Sequence, residues 1–295
     1  MTTEEENRAL WLAPYLSLQA RSDIRLRTVL ISTAQDAEKE VIALSKSSTF
    51  SNGVRAAQLR LLITELQPVL KELFDDVIPV VGNSQKDAGV LAVNQFSKAD
   101  ADYLKAAIQD SGISLSDFTA GQRGAARNGI RAAISSLQKS DYDLSSNVYG
   151  TRALSNRWLK NQVAILIARG ESANTIAKAV RSSVSPRTPG GVAYAAMRLG
   201  RTELNNAFHA TAVDLAKDRP WVSGMDWHLS SVHSHSPNKT EICELYSKKQ
   251  YKVEAVPAKP HPQCRCYVTP SLVAKEVFMR RLTAGQYRSW IHEAA

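Results

Sequence analysis

The chain has 295 residues, 44% of them hydrophobic and 22% charged, with a formal net charge of +9. That composition supplies a real core and argues against wholesale disorder, and no apolar run approaches the roughly 20 residues that a bilayer span needs. The charge is lopsided: residues 181–295 hold 16 Lys+Arg against 9 Asp+Glu, which suits a polyanionic neighbour such as DNA, an acidic protein surface, or plain solubility. The opening Met1-Thr-Thr-Glu-Glu-Glu lacks the basic-then-apolar order of a secretory signal, so an intracellular, soluble protein with no membrane partner is expected.

Residues 1–183 read as a helical domain. A long segment beginning at Asp23 runs to about Ser45 without Gly or Pro. A second runs from Asn52 to about Ile78, where Leu59, Leu62, Ile63, Leu66, Leu70, Leu73, Phe74 and Val77 recur at three- and four-residue steps, the period of one helical face. Pro68 lies inside that pattern and is expected to kink it. With the polar Ser47-Ser48-Thr49 stretch between them, the two segments read as an antiparallel pair. Shorter helices are expected near 97–110, 121–138 and 151–169, then one from Ala173, capped by Ser172 after the stop at Gly170.

The breaker-rich run from Ser183 to Gly191 marks a linker at about 184–191, and a second domain follows over 192–295. Val192 to about Asp218 reads as a further long helix. Trp221 to Leu229 and Cys266 to Thr269 are rich in aromatic and β-branched residues and read as short strands, while the tail from Ser271 to Ala295 returns to helix. The expected fold class is therefore α+β and predominantly α. A long-helix N-terminal part precedes a small unit with a long helix, short antiparallel strands and a Cys/His-rich loop.

Two groups of residues carry chemistry. Arg123, Arg127 and Arg131 stand four apart, so a helix stacks their guanidinium groups along one edge, for phosphates, partner carboxylates or merely solvent. More informative is the compression of His233, His235, Cys243, His261, Cys264 and Cys266 into thirty-odd positions. Thiolate and imidazole are the usual zinc ligands, and His261 and Cys264 have the two-residue gap of a metal knuckle. If 264–268 is extended, Cys264 and Cys266 point to one side and Arg265 and Tyr267 to the other. A site built from Cys243, Cys264 or Cys266, His261 and one of His233 or His235 is sterically reasonable. The same residues also serve as small buried hydrophobes and hydrogen-bonded histidines without a metal. A bound zinc would be structural, since no general base accompanies the cluster, and no catalytic residue is assigned.

Read in order, Arg201-Thr202-Glu203-Leu204 with Asn206 and Ala207, Trp227-His228-Leu229-Ser230, Glu241-Ile242-Cys243-Glu244-Leu245 and Pro260 to Cys266 form a set. It resembles the C-terminal part of phage head-morphogenesis (minor head) proteins of the Mu protein F-like type. The likeness covers about the last third of the chain. Many such proteins have Asp at the places of Glu241 and Glu244, and some carry an additional cysteine shortly before the position of Cys243, absent here. The resemblance implies a virion head component, present in host cytoplasm during assembly. Its implied place is in the procapsid near the portal, with portal and capsid proteins as partners and non-specific contact to double-stranded DNA during packaging or ejection. For Arg201, Glu203 and Arg265 a bracing role is expected: Arg201 toward a loop carbonyl or a carboxylate, Glu203 toward Arg265 or a loop donor. The competing expectation is a metal-dependent nuclease, hydrolase or toxin using His233-Ser-His235. That reading lacks the further ligands and water-activating base such enzymes need.

Overall fold

A computed structural model describes residues 8–46, 55–109, 111–118, 144–169, 171, 173–184, 191–231, 233 and 241–292, together with 121, 122, 124, 126–128 and 131. After a π-helical turn at Arg8–Leu12, the helices are α1 (Ala13–Lys46), α2 (Arg55–Ile108), α3 (Leu144–Ala168), α4 (Ala173–Val184) and α5 (Val192–Lys217). The C-terminal part adds β1 (Val222–His228), α6 (Ile242–Tyr246), β2 (Gln250–Tyr251), β3 (Tyr267–Leu272), α7 (Lys275–Thr283) and α8 (Arg288–His292). The fold is α+β and predominantly α, with a small antiparallel sheet late in the chain.

Helix α2 is longer than its sequence pattern indicates, absorbing the separate helix expected at 97–110. The apolar stripe does not stop at Val77: Val81, Ala88, Ala92, Phe96, Leu104 and Ile108 continue it at helical spacing, all buried. Pro68 and Pro79 both lie inside the helix. Both are exposed, and so is Asp75, four residues before Pro79, so the carbonyl deprived of its donor there is on the solvent side. The polar stretch at 47–49, Gly170, Ser172 and most of 121–138 and 184–191 lie outside the described residues.

The chain groups into two compact units, neither bounded by the expected linker: Gln19–Ser84 with Asp141–Glu203, and Met1–Leu18 with Gln85–Ser140 and Leu204–Ala295. Helices α1, α2 and α5 each contribute residues to both. The elements described in the first unit are all helices. Its core joins Leu26 and Leu30 of α1, Leu73, Phe74 and Val77 of α2, Leu159 and Val163 of α3, Ile176 and Val180 of α4, and Ala193 and Ala196 of α5. A Cβ on Gly200 would stand 2.4 Å from Leu26 Cδ1, so glycine is what lets α5 approach α1 there. Buried Ser22 and Ser84 share a hydrogen bond of 2.7 Å.

The second unit holds the sheet, in the order β2-β1-β3 with antiparallel pairing throughout. Pro270 sits in β3, an edge strand, where a missing N–H is tolerated. Strand β2 has no counterpart in the sequence reading: two residues carry no alternation to detect. The tail also differs from expectation, since residues 271 and 272 still pair as strand, and a turn at Gly285 (φ +74°) separates α7 from α8.

Two cores flank the sheet in this unit. In one, Leu204, Ala207, Phe208, Ala212 and Leu215 of α5 pack with Trp227, Val268 and the three cysteines. The other gathers Leu104, Ile108, Phe118, Trp221, Phe278 and Tyr287. A buried ion pair ties α2 to the turn between α5 and β1. Arg219 Nε donates to Asp100 at 2.5 Å, Trp221 Nε1 donates to the same carboxylate at 3.0 Å, and Arg219 also reaches the Leu215 carbonyl.

Candidate metal centre

Three separate segments of the sheet-bearing unit converge on one cluster. Cys243 enters on α6, a short helix opened by a capping box between Glu241 and Glu244 that satisfies its first backbone donors. His261 and Cys264 enter on a tight turn in which the Cys264 N–H bonds the His261 carbonyl at 3.3 Å. Gln263 supplies the left-handed residue that this turn requires (φ 60°). The chain then extends through Arg265 and Cys266 into β3. His233 enters from the turn after β1, its N–H on the Ser230 carbonyl at 2.9 Å.

The donor atoms meet at short range. Cys243 Sγ is 3.5 Å from Cys264 Sγ and 3.6 Å from His261 Nε2, and Cys266 Sγ is 3.7 Å from His233 Nδ1. Two triads result, His233–Cys243–Cys266 and Cys243–His261–Cys264, each with its donor atoms within 4.8 Å of one another and with Cys243 common to both. All three cysteines are buried and none is in a disulfide. Zinc bonds of about 2.3 Å to sulfur and 2.0–2.1 Å to nitrogen set tetrahedral edges of about 3.8 Å between sulfurs and about 3.5–3.6 Å between sulfur and nitrogen. The three separations lie near those edges, so within each triad the donors suit a zinc ion in type and spacing, while no four of the described donors are grouped that closely.

The electrostatics agree with that fit. Hydrogen bonding from Cys243 and then Cys266 holds the Cys264 thiol far below its ordinary range, and bonding to Cys264 and Cys266, together with burial, pushes Cys243 up. Cys266 is raised as well, so Cys264 is the thiolate of the trio. Half-buried Lys259 donates to the Cys266 carbonyl and lies 5.5 Å over the Trp227 ring. Burial pulls its pKa down while the neighbouring cysteines pull it back up. Three thiolates on one dication would leave a net negative charge, with Lys259 beside it. From α5, Asn205 donates to the Cys264 carbonyl at 2.7 Å and accepts from the Tyr15 hydroxyl at 2.7 Å.

Of the expected site residues, Cys243, Cys264, Cys266, His233 and His261 are brought together, while His235 lies outside the described residues. Cys264 and Cys266 both turn inward as extended geometry requires. Arg265 is only partly buried, but Tyr267 is buried too, its ring stacked on His228 at 5.0 Å. Arg201 belongs to the helical unit, where its guanidinium forks onto Asp23 at 2.8–3.1 Å. That bond raises the Arg201 pKa. Glu203 is buried in the same unit, and Arg265 lines a cleft of about 430 Å³ beside Ser230, His233, Glu241, His261 and Cys266. Arg127 and Arg131 are exposed, and Arg123 lies outside the described residues. Asn205 and Lys259 were missed by the sequence reading. A polar residue one turn after Arg201, close to the apolar Leu204, Ala207 and Phe208, was the available signal for the first; nothing distinguishes Lys259 from surface lysines.

No family model, curated protein or solved structure matches the chain.

Proposed function

We propose that this chain is a minor head protein of a tailed bacteriophage, a structural component acting near the portal during procapsid assembly, whose sheet-bearing unit is closed by a zinc ion. One observation supports this above the others. Segments that carry the resemblance, Glu241-Ile242-Cys243 and His261 to Cys266, meet with His233 in one donor cluster, and α5 reaches it through Asn205. Residues shared for such a reason hold a small sheet to a helix; they do not turn over a substrate. Cysteine and histidine are the ligands of structural zinc, which contributes folding energy and holds no reacting water. Small sheets with thin cores gain most from such a tie. Contact with packaged or exiting DNA is electrostatic and sequence-independent, through the basic excess beyond residue 181.

The reading is tested on particles of a phage encoding this chain. Purified heads should contain it, and a map of the head should place it at the portal vertex. Heads that assemble normally and lack the protein contradict the proposal.

A further inference from the structure

The cluster offers five donors where zinc in a structural site takes four. We propose, resting on the zinc reading above, that Cys243 is the ligand common to both triads and that His233 and His261 are alternative ligands, either of which keeps the ion in place when the other is removed.

The geometry points to this in three ways. First, the two histidines belong to different triads joined through Cys243, and their nitrogens sit at nearly equal range from a sulfur, 3.6 Å for His261 and 3.7 Å for His233. Neither is the evident ligand with the other a bystander. Second, each ring turns one nitrogen toward a sulfur and the other away from it. His261 Nδ1 lies 3.1 Å from the Pro262 carbonyl and presents Nε2; His233 Nε2 lies 3.8 Å from a Glu244 carboxylate oxygen and presents Nδ1. Third, the two rings stand on independent segments, the turn after β1 and the turn before Cys264, and both border the same cleft of about 430 Å³. A displaced ring therefore has room to swing aside without moving the cysteines.

The exchange makes a definite prediction about paired variants. The full-length chain is purified as wild type, His233→Ala, His261→Ala and the double variant, with circular dichroism to verify the helical fold. Zinc is counted by native mass spectrometry, and affinity is measured against a chromophoric chelator. Each single variant should retain one zinc per chain, and the double variant should bind at least about 100-fold more weakly than either single. Loss of zinc from one single variant with the other unchanged overturns the proposal, since the histidine ligand is then fixed. A double variant that binds as tightly as the singles also overturns it.

The unmutated protein gives a second readout that needs no variant to fold. With cadmium in place of zinc, cadmium–proton coupling should reach ring protons of both histidines; coupling to one alone contradicts sharing. A wild-type protein that folds without any zinc fails at the earlier step and rejects the metal centre itself.

Discussion

Asn205, on α5, donates its side-chain amide to the main-chain carbonyl of Cys264 at 2.7 Å while its own oxygen accepts from Tyr15. The residue is buried, so neither bond competes with bulk water. Replacing Asn205 with Leu keeps the volume and removes a donor from one buried group and an acceptor from another, each worth about 1–3 kcal/mol when left unmet. Urea unfolding should show a lower midpoint, and a chelator should strip zinc from the variant faster than from wild type. An unchanged midpoint would mean that the helix does not brace the cluster.

The Asp100–Arg219 pair is nearly sealed from solvent, with side-chain exposures of 5% and 1%. Breaking such a pair from one side strands a buried charge at a cost of about 3–5 kcal/mol, whereas replacing both partners with apolar residues of similar volume is often tolerated. Asp100→Leu should therefore be strongly destabilised, and Asp100→Leu combined with Arg219→Met should recover part of the loss. Additive losses in a thermal double-variant cycle would refute the coupling.

His209 gives a pH dependence of known sign. Burial, then the charge on Lys259, lowers its pKa to about 3, and its Nε2 lies 2.9 Å from the Pro257 carbonyl. A histidine that resists protonation when folded, yet titrates near 6.5 when unfolded, stabilises the fold above pH 6.5. The contribution is lost as pH falls toward 3, at up to roughly 1.4 kcal/mol per pH unit. His209→Gln, which keeps a donor for Pro257, should flatten the stability profile between pH 6.5 and 4 relative to wild type. Parallel profiles for the two proteins would rule out this origin.

Gln263 sits at φ 60° between two of the proposed ligands. Left-handed backbone costs a non-glycine residue about 1–2 kcal/mol, and a β-branched side chain more. Gln263→Gly should be at least as stable as wild type, because relief of that cost offsets the added freedom of the unfolded chain. Gln263→Val should lower the Tm and weaken zinc retention together. If Val is tolerated as well as Gly, the turn is not held as described.

How much of this was legible in the sequence follows from which signals are local. Helix α2 declares itself through apolar residues at three- and four-residue steps, α1 through a long run without Gly or Pro, and Trp221 to Leu229 through its aromatic and β-branched content. The length of α2 was hidden because Pro79 reads as a stop in sequence, whereas an exposed position lets the helix pass through it. Strand β2 was hidden because a two-residue strand exists only through its partner, Met225 opposite Tyr251. In the cluster, residue type and the His261–Cys264 spacing were readable, and the five candidates among the described residues converge. The contributions of Asn205 and Lys259 depend on contacts 59 residues and 7 residues away along the chain, respectively, and no periodicity encodes them.

The central claim is that zinc closes the sheet-bearing unit, and metal content read together with stability tests it most directly. Full-length protein purified without added metal or chelator should carry one zinc per chain by native mass spectrometry. Removing that zinc should lower the Tm and loosen the region around Cys243, Cys264 and Cys266 in hydrogen exchange. A metal-free chain with the same Tm and the same protection at those three cysteines would contradict it.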